Sequence, residues 1–136
     1  MNLVNKRMII TINKLAIELT GGQSFSGSNN MIAGSSLGFV DRIKVNKVFG
    51  KPEFPSIYHM AAAYLCYILK NHIFIDGNKR TALATAITFL QWNSILFSPF
   101  DSDKVFVDMI EYTRSEKTPA ELIPIVADWL EGMSLH

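Results

Sequence analysis

The segment from Ala61 to Asn93 reads "AAAYLCYILKNHIFIDGNKRTALATAITFLQWN". Apolar side chains fill both ends at helical spacing and leave almost no polar face, which marks two helices buried all round. Between them "HIFIDGNKRTAL", His72 to Leu83, holds one imidazole, one carboxylate, one glycine and two adjacent cations. Two buried helices joined by a short polar loop make a helical hairpin, the centre of an all-α core.

On the N-terminal side, Ile9, Ile12, Leu15, Ala16 and Leu19 predict a helix over Val4 to Leu19, stopped by "TGG" at Thr20 to Gly22. The polar, glycine-rich stretch from Gln23 to Ser36 reads as a loop. A short helix is expected over Leu37 to Val48, capped by Ser35 or Ser36. "FGKPEFPS" then carries two prolines and a glycine and predicts a turn or a small extended flap. Ser56 is placed to cap the helix running from Ile57 to about Asn71.

On the C-terminal side, Val105, Phe106, Met109 and Ile110 lie on one side of a helix within "SDKVFVDMIEYTRSE", capped by Asp101 or Ser102. "TPAE", Thr118 to Glu121, is a capping box with proline at the first helical position. Pro124 inside that last helix predicts a kink or a later start. No repeat and no strong alternating pattern is present, so the expectation is one all-α domain over residues 1–136, with about six helices and the polar loop between the two central ones.

With 49% hydrophobic and 18% charged residues the chain is neither disordered nor collagen-like. Its longest apolar run, Met60 to Leu69, is half of the ~20 residues that span a bilayer. Thr11 and Asn13 interrupt any N-terminal signal-like run, so a soluble, cytoplasmic protein is expected. Cys66 is the only cysteine, which excludes an internal disulfide and a thiolate metal set; its apolar neighbours mark it as a small buried hydrophobe. A net charge of +1 supplies no basic field, and no direct nucleic-acid binding is expected.

The loop suggests anion chemistry. If the second buried helix starts near Asn78, the amides from Gly77 through Thr81 sit at its positive end. Gly77 lets a ligand approach the backbone, and Lys79 and Arg80 add cations, the arginine with bidentate reach for phosphate. Asp76 beside a phosphate is repulsive unless Mg²⁺ lies between them. His72, at the end of the preceding helix, is the candidate general base. Together these residues describe phosphoryl or nucleotidyl transfer to a hydroxyl. Each also has a plainer reading, His72 as a helix-end cap and "DG" as a turn pair, whereas two cations at a helix start are unfavourable for the helix itself.

The loop resembles the signature of the Fic/Doc superfamily, H-x-F-x-[DE]-[GA]-N-[GK]-R. His72, Phe74, Asp76, Gly77, Asn78, Lys79 and Arg80 fill its fixed positions. "NKRTAL" is similar to the Doc (death-on-curing) branch; the adenylyl-transferring branch has glycine at the place of Lys79 and usually arginine at that of Leu83. Gly77 stands where the best-known Doc loop has alanine. The resemblance implies His72 as base for a serine or threonine of a target protein and Asp76 as ligand to Mg²⁺. It implies Gly77, Asn78, Lys79, Arg80 and Thr81 as the binders of nucleotide phosphates, with Phe74 as the apolar anchor of the loop.

A lysine at position 79 suits ATP bound with its terminal phosphate nearest His72, which implies a protein kinase rather than an adenylyltransferase. Doc-like toxins of toxin–antitoxin modules are understood to phosphorylate elongation factor Tu and block translation, and a Phd-like antitoxin neutralises them by folding a tail onto the toxin. The alternatives are Fic-type AMP transfer and a non-catalytic nucleotide-binding module. Target docking in the superfamily uses the flap, here around "VFGKPEFPS". The C-terminal "ADWLEG" partly resembles a self-inhibitory helix, [ST]-x-x-x-E-[GN], but Ala127 replaces the hydroxyl residue and a plain helix C-cap at Gly132 accounts for it.

Overall fold

The structure, a computed structural model, describes residues 1–20 and 29–135. Among these residues six helices follow in order: α1 (Lys6–Thr20), α2 (Phe39–Val45), α3 (Ile57–Lys70), α4 (Asn78–Trp92), α5 (Ser102–Arg114) and α6 (Pro119–Met133). Among the described residues there is no β-strand, only isolated bridges between Met31 and Phe74, Val48 and Lys51, and Phe97 and Ser134. The fold is all-α, as the hairpin pattern predicts. The expected stop at Gly21 and Gly22 and the loop from Gln23 to Ser28 lie outside the described residues.

α3 is the central helix. Every residue from Met60 to Leu69 is buried, because α4 and α6 pack on it while α1 covers α4 and α2 closes a further side. Each fully buried Leu or Ile here contributes roughly 1.5–3 kcal/mol. Cys66 lies within this core, and burial pushes its thiol well above the ordinary value, so it is a packing residue and not a nucleophile. The Tyr64 hydroxyl, also buried, donates to the carbonyl of Val4 at 2.8 Å and accepts from the Val4 N–H at 3.1 Å, pinning the entry to α1. No helix among the described residues is long and apolar enough to cross a membrane.

Three boundaries depart from expectation. α2 is shorter at both ends than the predicted Leu37 to Val48. Ser36 Oγ accepts from the Gly38 N–H, and Asn46 adopts a left-handed conformation that ends the helix. The Asn46 amide then brackets the main chain of Phe54, donating to its carbonyl at 3.1 Å and accepting from its N–H at 2.7 Å. That closes the base of the flap, whose tip turns through Phe49 and Gly50, both at positive φ as a tight hairpin requires. Phe49 stands fully exposed.

α6 starts at its capping box and runs on through Pro124 instead of starting later. Pro124 and Ala120, the residue whose carbonyl it cannot reach, both lie on the exposed side, where solvent satisfies the orphaned oxygen. Gly132 is inside α6 and is not its C-cap; Ser134 holds that position, with its N–H on the Glu131 carbonyl.

Candidate functional site

The polar loop is held from four sides. α3 ends where Asn71 donates its N–H to the Tyr67 carbonyl, and His72, at φ 45°, turns the chain back. Ile73 and Phe74 then drop into the core, both fully buried. Residues 30–35 run alongside: Ile32 donates its N–H to the Ile73 carbonyl at 2.9 Å, Ile75 to the Asn30 carbonyl at 2.7 Å, and Ser35 Oγ to the Ile73 carbonyl at 2.9 Å. From below, the Asn78 amide reaches back four residues, donating to the Phe74 carbonyl at 2.7 Å and accepting the Phe74 N–H at 2.9 Å.

Gly77 is the N-cap of α4. Its φ of 77° is left-handed, which glycine adopts without penalty, and it supplies no side-chain cap. Its N–H donates to Asp76 Oδ1 at 2.8 Å. The first turn of α4 therefore presents the amides of Asn78, Lys79 and Arg80 without a capping side chain, on the positive end of a 15-residue helix dipole. From α1, the buried Asn13 donates through Nδ2 to the Asp76 carbonyl at 2.9 Å and to Thr81 Oγ1 at 3.1 Å.

A cleft of about 460 Å³ opens over this turn. Asp76, Gly77, Asn78, Lys79 and Arg80 form its polar side. Leu83 and, from α5 and its approach, Phe100, Ser102, Val105, Phe106 and Met109 form an apolar wall. Phe106, on the apolar side of α5, is more than half exposed because it faces the cleft. Lys70 at the end of α3 holds this wall in place: its ammonium donates to the carbonyls of Tyr112, Thr113 and Ser115 at the C-terminus of α5, where a cation is favoured.

The structure brings five of the expected site residues onto one cleft and places three elsewhere. His72 is exposed at the far end of the loop and is not part of the cleft lining; Phe74 lies beneath the loop. Thr81 is buried, with its N–H on the Gly77 carbonyl and its hydroxyl facing Asn13, so it belongs to the support of the loop and not to the cleft. Asn78 keeps a place through its backbone amide, because both polar atoms of its side chain are bonded to Phe74. Asn13, Lys70 and the segment 30–35 went unread in the sequence. Asn13 and residues 30–35 lie far from the loop in the chain, Lys70 adjoins it but turns to α5, and an amide or amine that bonds main-chain atoms leaves no periodic signal.

A second groove, about 550 Å³ and almost wholly apolar, lies between α1 and α4, rimmed by the exposed Leu15 and Leu19. Arg80 and Leu83 line both this groove and the cleft.

A cleft over the uncapped amides of a glycine N-cap, closed by an Asn amide on a buried Phe, is the setting of the H-x-F-x-[DE]-[GA]-N-[GK]-R loop. The Fic/DOC family model matches residues 3–90, and the chain belongs to this family. It is 45% identical over 58 residues to "Toxin Doc" of Mycolicibacterium smegmatis, a match covering 42% of this chain and 45% of that protein. It is 33% identical over 81 residues to "Protein kinase doc" of Escherichia phage P1, covering 60% of each. The matched segments thus span about half to three fifths of these relatives, and both relatives are Doc proteins.

Proposed function

We propose that the chain is a Doc-like toxin that transfers the terminal phosphoryl group of ATP to a serine or threonine hydroxyl of a target protein. The observation that carries this reading is the cleft: uncapped helix amides, Lys79, Arg80 and Asp76 on one side, and an apolar wall of Leu83, Phe100, Val105, Phe106 and Met109 on the other. The name of the phage relative, "Protein kinase doc", supports the choice of phosphoryl transfer.

In this reading His72 accepts the proton of the target hydroxyl as its oxygen bonds the γ-phosphorus and the bond to the bridging oxygen of ADP breaks. Lys79, Arg80 and the α4 amides hold the phosphate oxygens and the charge that passes to ADP. Asp76 is the one carboxylate among the described residues that line the cleft, and no group of three or more His, Cys, Asp or Glu gathers among them. That donor set fits Mg²⁺, which needs only one or two carboxylates when phosphate oxygens and water complete its shell. When bound, Mg²⁺ neutralises phosphate charge next to Asp76.

Elongation factor Tu is the proposed target, with arrest of translation as the outcome, and the exposed Phe49 tip of the flap is the proposed point of contact. A Phd-like antitoxin is the proposed partner, and the apolar groove between α1 and α4 suits an amphipathic segment of it. Fic-type AMP transfer is the second reading, because Gly77 stands where the best-known Doc loop has alanine; its missing Cβ would face Asn13 and Ile17 of α1, so the glycine itself clears no path for a diphosphate.

Incubation with Mg²⁺, bacterial extract and either γ- or α-labelled ATP, beside His72→Ala, separates these readings. Label from the γ position alone, lost in the variant, supports the kinase. Label from the α position transfers the assignment to AMP transfer, and no label from either leaves a nucleotide-binding module.

A further inference from the structure

Asn13 is fully buried on α1. Its Nδ2 is spent on two loop atoms, the Asp76 carbonyl and Thr81 Oγ1. Its Oδ1 has no hydrogen-bond partner among the described residues. A buried acceptor without a donor weakens a fold, and leucine, of nearly the same size, would avoid that cost. Packing alone therefore gives no reason for an asparagine at this position.

The reason lies in what Nδ2 holds. The Asp76–Gly77 peptide has its carbonyl tied to Asn13 and its N–H tied to the Asp76 carboxylate. A peptide fixed at both ends cannot rotate. Its orientation sets where the Asp76 carboxylate stands relative to the open end of α4, and the contact with Thr81 locks the same amide to the first turn of that helix. The fit is close: a Cβ on Gly77 would meet Asn13 Nδ2 and Ile17 Cγ1 at 3.3 Å each.

We propose that Asn13 is a positioning residue of the cleft, fixing the Asp76–Gly77 peptide so that the carboxylate and the α4 amides bear on one ligand. The proposal rests on the reading of the cleft as a magnesium–nucleotide site. Its test uses the full chain as wild type, Asn13→Leu and Asn13→Asp. Three quantities are measured: Mg-ATP affinity by titration calorimetry, thermal unfolding, and hydrogen exchange along the chain.

Asn13→Leu is expected to weaken Mg-ATP binding tenfold or more and to speed exchange at residues 74–81, with α3 and α6 as protected as in wild type. Asn13→Asp, which sets an acceptor against the Asp76 carbonyl, is expected to exceed both effects; if its buried charge prevents folding, the leucine variant decides. Wild-type affinity together with wild-type exchange at residues 74–81 in Asn13→Leu overturns the proposal. So does a loss of affinity accompanied by faster exchange throughout α3 and α6, which would mark Asn13 as a general stabiliser. If the wild type itself binds no Mg-ATP, the nucleotide reading fails, and exchange at residues 74–81 alone judges the clamp.

Discussion

Asn78 and Phe74 are joined twice, amide to main chain, the Nδ2 bond at 2.7 Å and the bond to Oδ1 at 2.9 Å. The pair reproduces with one side chain what a β-bridge does with two strands, and it forces the loop to dip so that Phe74 is buried. Asn78→Ala leaves a donor and an acceptor of Phe74 without partners, at about 1–3 kcal/mol each where water cannot replace them. Chemical denaturation should show a loss in this range, accompanied by weaker Mg-ATP binding. Asn78→Asp keeps the acceptor for the Phe74 N–H but sets a carboxylate oxygen against the Phe74 carbonyl, so it should not restore the lost stability.

Gly77→Ala is expected to destabilise the protein. Its φ of 77° costs an L-residue about 1–2 kcal/mol, and the added methyl meets Asn13 and Ile17 at 3.3 Å. Thermal unfolding should show the drop, and an unchanged midpoint would mean that the loop rearranges to accept alanine.

His72 stands outside the cleft lining, so its removal should separate chemistry from binding. His72→Ala is expected to lower phosphoryl transfer by about 10²–10⁴ while Mg-ATP affinity holds. Single-turnover assays beside calorimetry check this; a joint loss of both would place the imidazole on the nucleotide.

The apolar wall has one polar side chain, Ser102, among Leu83, Phe100, Val105, Phe106 and Met109. Apolar walls discriminate poorly between ligands of similar shape, so GTP, CTP and UTP should compete with ATP within about tenfold. Phe106→Ala should weaken all four together. Competition titrations that reveal a strong preference for adenine would point to main-chain readout of the base.

The capping box of α6 carries a pH signature. Bonds from the Thr118 N–H, and from the Thr118 side chain, hold the Glu121 carboxyl below the ordinary 4.5. A folded-state value below the unfolded one means that the charge stabilises the fold above the ordinary value, and that this contribution is lost as pH falls through the folded value. Thr118→Ala should cost about 1 kcal/mol at neutral pH. It should also flatten the acid side of the stability profile, as denaturation at stepped pH can check.

What the sequence made legible was local. The α3–loop–α4 hairpin, the Ser56 cap and the Thr118–Glu121 box each lie within a few residues, and each is found where the pattern places it. The amide brackets of Asn46 on Phe54 and Asn13 on Asp76 were not legible, because a side chain bonding remote main chain imposes no pattern on its neighbours. The predicted α2 ran too long for the same reason, since Asn46 ends it by turning to Phe54. Phe106 shares the apolar side of α5 with the buried Val105 and Met109, yet is more than half exposed: hydrophobic spacing cannot tell a cleft wall from an interior.

Arg80 faces two ways, into the cleft and into the groove between α1 and α4. One residue thus borders both sites, and where the proposed nucleotide and the proposed antitoxin segment both engage it, their binding free energies would be coupled. Whatever occupies the groove and draws Arg80 toward it weakens an anion in the cleft by some factor, and by linkage the anion weakens the groove ligand by that same factor. A rising concentration of the cleft anion would then help to expel the occupant of the groove.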